Sequence, residues 1–155
     1  MLSVSYGRPV HPVTGGNWEE VGVVPDVAVD PTQALDTAVS LALDGLLART
    51  DAEPADRASW EWAQVAAEAR VRPVAIPPAR LQALAGTYGG REIAFDDGGL
   101  AWLSANGQKS RLTPLTGDGL FAVEGSNDRL RLRLTGEALE LHRMDQPAPQ
   151  SFPRD

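Results

Sequence analysis

The sequence predicts an α+β protein in which strands and one or two helices are followed by a small antiparallel β meander or partial barrel. Apolar residues recur at helical spacing in the first half of the chain, whereas the second half has short alternating runs separated by Gly-rich turns. The Pro-rich stretch "RPVAIPP" lies between the two patterns. We therefore expect a first module over residues 1–72, a linker over 73–77, a β domain over 78–146 and a flexible tail over 147–155.

The first module begins with extended segments and continues into a helix. "LSVSYGRPV" alternates like a short strand, and "GVVPDVAV" ends before Asp30. The helix is predicted to start after Asp30, whose carboxylate can cap it. Pro31 suits the first helical position because its missing N–H would be unpaired there anyway, and Gln33 completes a capping-box pattern. The helix that follows carries an apolar stripe, which we expect to pack on another element: Leu35, Val39, Ala42, Leu43, Leu46 and Leu47.

Two further helices are predicted on either side of the linker. "RASWEWAQVAAEARV", residues 57–71, is rich in alanine, and the prolines after it end the helix. Trp60 and Trp62 lie two positions apart and so point to different faces, which predicts that one packs while the other meets the β domain or a partner. A shorter helix, "PARLQAL", ends before Gly86.

The β domain is predicted from its turns. The segments DDGG, ANGQ, TGDG, GSND and TGE contain residue pairs that favour tight hairpins, and they divide the rest into six or so strands in up-and-down order. In "RLRLRL", residues 129–134, the leucines and arginines alternate between the two faces of a half-buried strand. The aromatic residues that we assign to the core are Tyr88, Phe95, Trp102 and Phe121.

Charge and composition argue against several classes of partner. The chain has 14 basic and 21 acidic residues and a net charge of -7, which disfavours binding to nucleic acid or to an anionic membrane surface. It has no cysteine and only two histidines, far apart, so we predict no metal site and no cofactor. We find no signal peptide and no apolar run of about 18 residues. These features do not indicate a cellular compartment.

The segment "GRPVHPVTGGNWEEVGVVPDVAV" followed by "QALDTAVSLAL" resembles the bacterial peptidase family S41, the tail-specific and tricorn-core serine peptidases, in the branch that includes interphotoreceptor retinoid-binding protein modules. The resemblance covers roughly residues 3–47. The second half is similar to the small β domain that often follows such peptidases and some β-lactamase-like hydrolases. The resemblance implies the C-terminal part of a peptide-bond hydrolase, whose full-length bacterial relatives are often extracytoplasmic.

The resemblance also implies which residues belonged to the active site. Glu19, in "NWE", matches a glutamate that orients the catalytic serine and histidine, and Arg8, Asn17 and Trp18 are the associated binding candidates. The alternative reading of Glu19 is a solvated turn carboxylate. We assign His11 to a turn.

A nucleophile is not recognisable in the sequence. None of the serines stands in a Gly-x-Ser-x-Gly elbow, and no Ser-x-x-Lys motif occurs. Lys109 and Ser110 point to opposite faces of a predicted strand, and we place His142 on the surface. We therefore expect the chain to be inactive alone and to act on a peptide or protein substrate only when an N-terminal part completes it.

A second hypothesis is a noncatalytic binding or assembly module that contacts a protein partner or an apolar ligand. The unpaired first strand and the apolar helix stripe also predict a homo-oligomer, most simply with twofold symmetry. The alternative is that the β domain folds back over the helix and covers the stripe within one chain.

Overall fold

A computed structural model describes residues 7, 10–13, 15–16, 24–104 and 107–155. The chain divides into two compact units, Met1–Pro31 and Thr32–Asp155. This division differs from the boundary that we expected at the proline linker, because the helices on the N-terminal side of the linker group with the sheet.

The second unit contains three α-helices: α1 (Ala34–Leu47), α2 (Pro54–Val71) and α3 (Pro78–Leu84). A 3-10 turn, Pro31–Gln33, precedes α1, so the α-helix begins later than its predicted start. Gln33 is the N-cap residue, and its side chain forms no capping hydrogen bond within the described part of the chain. In α2 and α3 a proline occupies the first turn, where its missing N–H costs no intrahelical hydrogen bond.

Eight strands follow in one sheet, and each strand is antiparallel to the next in chain order. They are β1 (Gly86–Tyr88), β2 (Arg91–Asp96), β3 (Gly99–Leu103), β4 (Lys109–Pro114), β5 (Leu120–Val123), β6 (Leu130–Leu134), β7 (Ala138–Arg143) and β8 (Gln150–Pro153). The mixed α+β class and the meander or partial barrel are confirmed, with two strands more than the six or so predicted.

The sheet is nearly closed by the last residues of the chain. A β-bridge joins Tyr88 to Arg154, and the backbone N–H of Asp155 donates to the Thr87 carbonyl at 3.0 Å. The prediction of a flexible tail is wrong over Gln150–Pro153, because β8 pairs with β7 along its whole length.

The main core fills the inner face of the sheet. Tyr88 and Phe121 are fully buried, and Phe95 and Trp102 are partly buried against the same cluster, which confirms their assignment to the core. The linker and α3 cover this core at one end of the sheet through Ile76, Leu81 and Leu84.

Helix α2 lies on the outer face of the sheet. Ala66 packs with Leu115 and Leu120 in a second cluster, and the small side chain allows close approach. Helix α1 packs on α2 through Leu43. The predicted packing stripe of α1 is only partly correct, since Leu35 remains 75% exposed and Ala42 is also exposed.

Candidate functional site

The residues that the resemblance assigned to the active site, Arg8, Asn17, Trp18 and Glu19, lie outside the described residues. His11 lies within them and occupies a turn, as expected. Its carbonyl accepts a hydrogen bond from the Gly15 N–H at 2.9 Å, and its Nδ1 accepts one from the Val13 N–H at 3.3 Å.

A polar cleft of about 300 Å³ lies where α1, α2 and the linker meet the turn between β4 and β5. Ser40 and Asp44 contribute polar groups from α1, and Glu68 and Arg72 contribute them from the end of α2. The apolar part of the wall is formed by Ala69, Val71, Val74 and Leu115. The cleft therefore combines two carboxylates, a hydroxyl and a guanidinium with an apolar floor.

Gln64 of α2 bonds to both carboxylates of the cleft, although it is not itself part of the cleft lining. Its Nε2 donates to Asp44 Oδ1 at 2.7 Å and to Glu68 Oε1 at 3.2 Å. Gln64 is 8% exposed, and its Oε1 has no hydrogen-bond partner among the described residues. A buried amide oxygen without a partner carries a desolvation cost, so Gln64 fixes the position of both acids at some expense of stability.

The chemistry of this cleft is that of hydrogen bonding rather than of nucleophilic attack. Ser40 is the hydroxyl in its lining, and no histidine stands beside it there. Among the described residues no group of three or more histidine, aspartate or glutamate side chains could hold a metal ion. The cleft suits a small cationic or hydrogen-bonding group, which the two carboxylates would accept.

Arg131 forms the main polar contact between α2 and the sheet. Although it points outward from β6, it is 2% exposed, because α2 covers it. Its guanidinium donates to both Asp128 carboxylate oxygens, at 3.1 and 2.9 Å, and to the Trp62 carbonyl at 2.6 Å. It also stacks 4.0 Å from the centroid of the Trp62 ring. Trp62 is thus the tryptophan that contacts the β domain.

The other sequence candidates are held in surface contacts. Lys109 pairs with Asp96, and this hydrogen bond lowers the pKa of the Asp96 carboxyl below its usual value. Lys109 is thereby directed to Asp96 and not to Ser110. His142 is half-buried, with Nε2 at 3.2 Å from Glu140 Oε2.

A second depression, of about 510 Å³, lies at the other end of the sheet. Arg129 and Arg143 line it together with Leu130, Met144 and Asp145. The guanidinium groups of both arginines form no hydrogen bond or ion pair with the described residues. Asp145 offsets part of the positive charge of the two arginines.

Comparison with known proteins identifies no relative: no family model, no curated protein and no solved structure matches this chain. No helix in the described part of the chain is both long enough and apolar enough to cross a membrane.

Several contacts around these sites were not predicted. Gln64 stands in an Ala-rich helix, where a glutamine is ordinarily a solvated residue, so the sequence contains no signal for its role. The "WEW" and "RLRLRL" motifs did mark Trp62 and Arg131, yet their pairing joins residues 69 positions apart.

Proposed function

We propose that this chain is the noncatalytic C-terminal part of a serine peptidase related to family S41 and that it does not cleave peptides by itself. The proposal is supported by the motif run from Gly7 to Asp26, and by the absence of a recognisable nucleophile motif in the sequence. In this proposal Glu19 is the orienting acid that this part contributes to a shared active site.

The single structural observation that carries the proposal is the exposure of valines in the segment of the resemblance. Val10, Val13 and Val24 are 58%, 86% and 79% exposed, and Val27 and Val29 are 48% and 39% exposed. Isolated apolar residues on a surface need no explanation, but a series of them in one short segment is typical of a surface that another protein part covers. The catalytic part of the peptidase is the occupant that this proposal assigns to it.

Complementation tests the proposal. The purified chain is incubated with an unstructured peptide, alone and with an S41-type catalytic part that ends before its own equivalent of this segment. We expect no cleavage by the chain alone and cleavage by the mixture. Glu19→Gln should abolish the cleavage by the mixture, whereas the neighbouring Glu20→Gln should preserve it. Cleavage by the chain alone, or a mixture that stays inactive, contradicts the proposal.

The second candidate function is a binding or assembly module without any link to catalysis. Binding of an apolar ligand would require space inside the sheet, but core side chains already fill its inner face. The structure therefore does not favour a role in binding an apolar ligand. A titration with a fluorescent fatty acid tests that role, and a saturable signal would support it. The assembly version is favoured by an exposed apolar helix face on α1.

A further inference from the structure

The cleft between α1, α2 and the linker holds two acidic side chains close together without a neutralising cation. Asp44 Oδ1 and Glu68 Oε1 accept hydrogen bonds from the same nitrogen, Gln64 Nε2, at 2.7 and 3.2 Å. Neither carboxylate forms an ion pair with a described residue. Two like charges that a neutral amide holds side by side repel each other, so a positive charge placed beside both would be favourable.

Gln64 keeps the two acids together at a cost to the fold. It is 8% exposed, and its Oε1 has no hydrogen-bond partner among the described residues. Buried polar groups without a partner are few in folded proteins, and local departures from good packing and bonding are typical of functional sites. An alanine or leucine in this Ala-rich helix would avoid the cost. The paired acids are therefore better explained by a ligand than by stability.

Arg72 lines the same cleft but does not neutralise the acids. It stands four positions after Glu68, a spacing at which ion pairs commonly form within a helix. Arg72 is the C-cap residue of α2, with φ -131° and ψ 84°, so the backbone has already left the helical conformation there. Its guanidinium forms no hydrogen bond or ion pair with the described residues. The cleft thus presents negative and positive groups that do not satisfy each other.

The size and the apolar wall of the cleft limit what it can hold. Ala69, Val71, Val74 and Leu115 form the wall, and Leu115 is 7% exposed. The volume of about 300 Å³ is at the lower end of the range of small-molecule pockets, which is about 300–1,000 Å³. The cleft therefore suits a small ligand that carries an apolar group.

We infer that this cleft binds a free α-amino acid with an apolar side chain. The ammonium group of the ligand lies beside Asp44 and Glu68, its carboxylate meets Arg72, and its side chain packs on the apolar wall. An ammonium group offers three donors, and a guanidinium can bind a carboxylate through two parallel hydrogen bonds. Each charged group of the ligand then has a partner of opposite charge. This inference does not depend on the proposed peptidase origin.

Charge distinguishes an amino acid from simpler ligands. A plain amine would be attracted by the two carboxylates, but it would leave Arg72 unpaired beside a second cation. A plain carboxylic acid would pair with Arg72 and be repelled by Asp44 and Glu68. Only a ligand with both charges is attracted by all three residues, because like charges brought together at a binding site oppose binding.

The position of the cleft at the surface limits the affinity. Asp44, Glu68 and Arg72 are exposed, so water and salt weaken their attraction to a ligand. We expect a Kd on the order of 1 mM or somewhat lower. The affinity should fall as the salt concentration rises, since both charged contacts are screened.

An amide NMR titration of the full chain with L-leucine tests the inference, because it detects weak binding and locates it. We expect saturable shifts in residues 40–44 and 68–74. Isoamylamine lacks the carboxylate of leucine and isocaproic acid lacks its ammonium group, and each should bind at least about tenfold more weakly. Glycine, which lacks the apolar side chain, should also bind more weakly. No saturable shift with leucine, or isoamylamine binding as tightly as leucine, overturns the inference.

Charge-removing variants test the assigned contacts. Glu68→Gln keeps an oxygen for Gln64 but removes a negative charge, so it should weaken leucine binding about tenfold. Glu61→Gln changes an exposed acid of the same helix outside the cleft and should leave binding unchanged. Arg72→Gln should weaken binding similarly, whereas Arg143→Gln, outside the cleft, should not. Thermal unfolding verifies that all four variants fold. Unchanged leucine affinity in Glu68→Gln and Arg72→Gln would contradict the proposed site.

Discussion

Burial determines how much the single charged residue Arg131 contributes to the stability of the fold. An ion pair of a solvent-exposed guanidinium contributes little to stability. Arg131 is only 2% exposed, so its charge has lost its hydration and must be compensated by hydrogen bonds and an ion pair within the protein. Asp128 supplies charge, while Trp62 supplies a carbonyl and a ring face. The same strand carries a natural comparison: Arg133 pairs with Asp118, and both side chains remain partly exposed.

Replacing Arg131 should therefore be far more costly than replacing Arg133. We expect Arg131→Ala to lower the free energy of unfolding by about 2–4 kcal/mol, because Asp128 and the Trp62 carbonyl lose their partner under α2. Arg133→Ala should cost less than about 1 kcal/mol. Urea denaturation measures both. Equal losses would mean that Arg131 contributes no more than a surface ion pair.

Gly119 is a position at which the backbone itself excludes a side chain. Its φ is +102°, and a Cβ there would lie 2.5 Å from the Leu134 carbonyl oxygen. We expect Gly119→Ala to destabilise the protein by about 2–3 kcal/mol. Gly117 lies in the same turn, and no atom of the described residues lies within 4 Å of the position that a Cβ would take there, so Gly117→Ala should change the stability by less than about 0.5 kcal/mol. Thermal unfolding of both variants provides the measurement, and a tolerated Gly119→Ala would show that this turn shifts readily.

At the scale of elements, the end of the chain connects the first and last strands. Arg154 donates to the carbonyls of Ala83, Ala85 and Gly136, at 2.9, 2.8 and 3.1 Å. The Asp155 carboxylate accepts from the N–H groups of Gly89 and Gly90, at 2.9 and 3.2 Å. These bonds attach β8 to α3 and β1, and they leave fewer unpaired edge groups on the sheet.

Arg154→Ala should loosen this closure without unfolding the whole sheet. We expect a loss of about 1–3 kcal/mol, because three charge-assisted hydrogen bonds disappear from a partly solvated site. Amide hydrogen exchange should accelerate in β1 and β8 more than in β4 and β5. Arg143→Ala removes a guanidinium that pairs with no described residue, so it serves as the control and should leave exchange unchanged. Uniform acceleration across all strands would contradict a local role in closure.

At the scale of the whole molecule, the phenol of Tyr88 connects global stability to pH. Its hydroxyl donates to the Leu84 carbonyl at 2.8 Å, and burial raises its pKa above the usual value of 10.0. The unfolded chain releases this proton near pH 10, while the folded protein still holds it. The stability due to Tyr88 is therefore complete below pH 10 and declines as the pH rises toward the higher folded pKa.

Tyr88→Phe isolates this contribution. At pH 8 we expect the variant to be less stable by about 1–2 kcal/mol, since the buried Leu84 carbonyl loses its donor. At pH 11 the difference between the two proteins should shrink, because only the unmodified chain is penalised for holding the proton. Urea unfolding at both pH values measures the difference. A difference that is unchanged or larger at pH 11 would contradict the raised pKa.

Local patterns determined which segments became helices and strands. The helical periodicity of residues 34–47 and 57–71 lies within observed helices. The predicted turns DDGG and GSND lie between consecutive strands, while part of the predicted turn ANGQ lies outside the described residues. Asp97 and Gly98, like Asn127 and Asp128, adopt the positive φ values that such hairpin turns require. These features depend on neighbours along the chain, so the sequence by itself was sufficient for the fold class and for the up-and-down order.

Tertiary structure alone decided which faces became buried and how the sheet ended. Leu35 belongs to a stripe that we expected to pack on another element and is exposed, whereas Arg131 was expected on the polar face of a half-buried strand and is buried, because α2 covers β6. The cleft around Gln64, the eighth strand and the closure by Arg154 likewise join residues distant in the sequence. Such contacts depend on how completed elements pack, and periodicity within one element carries no information about that packing.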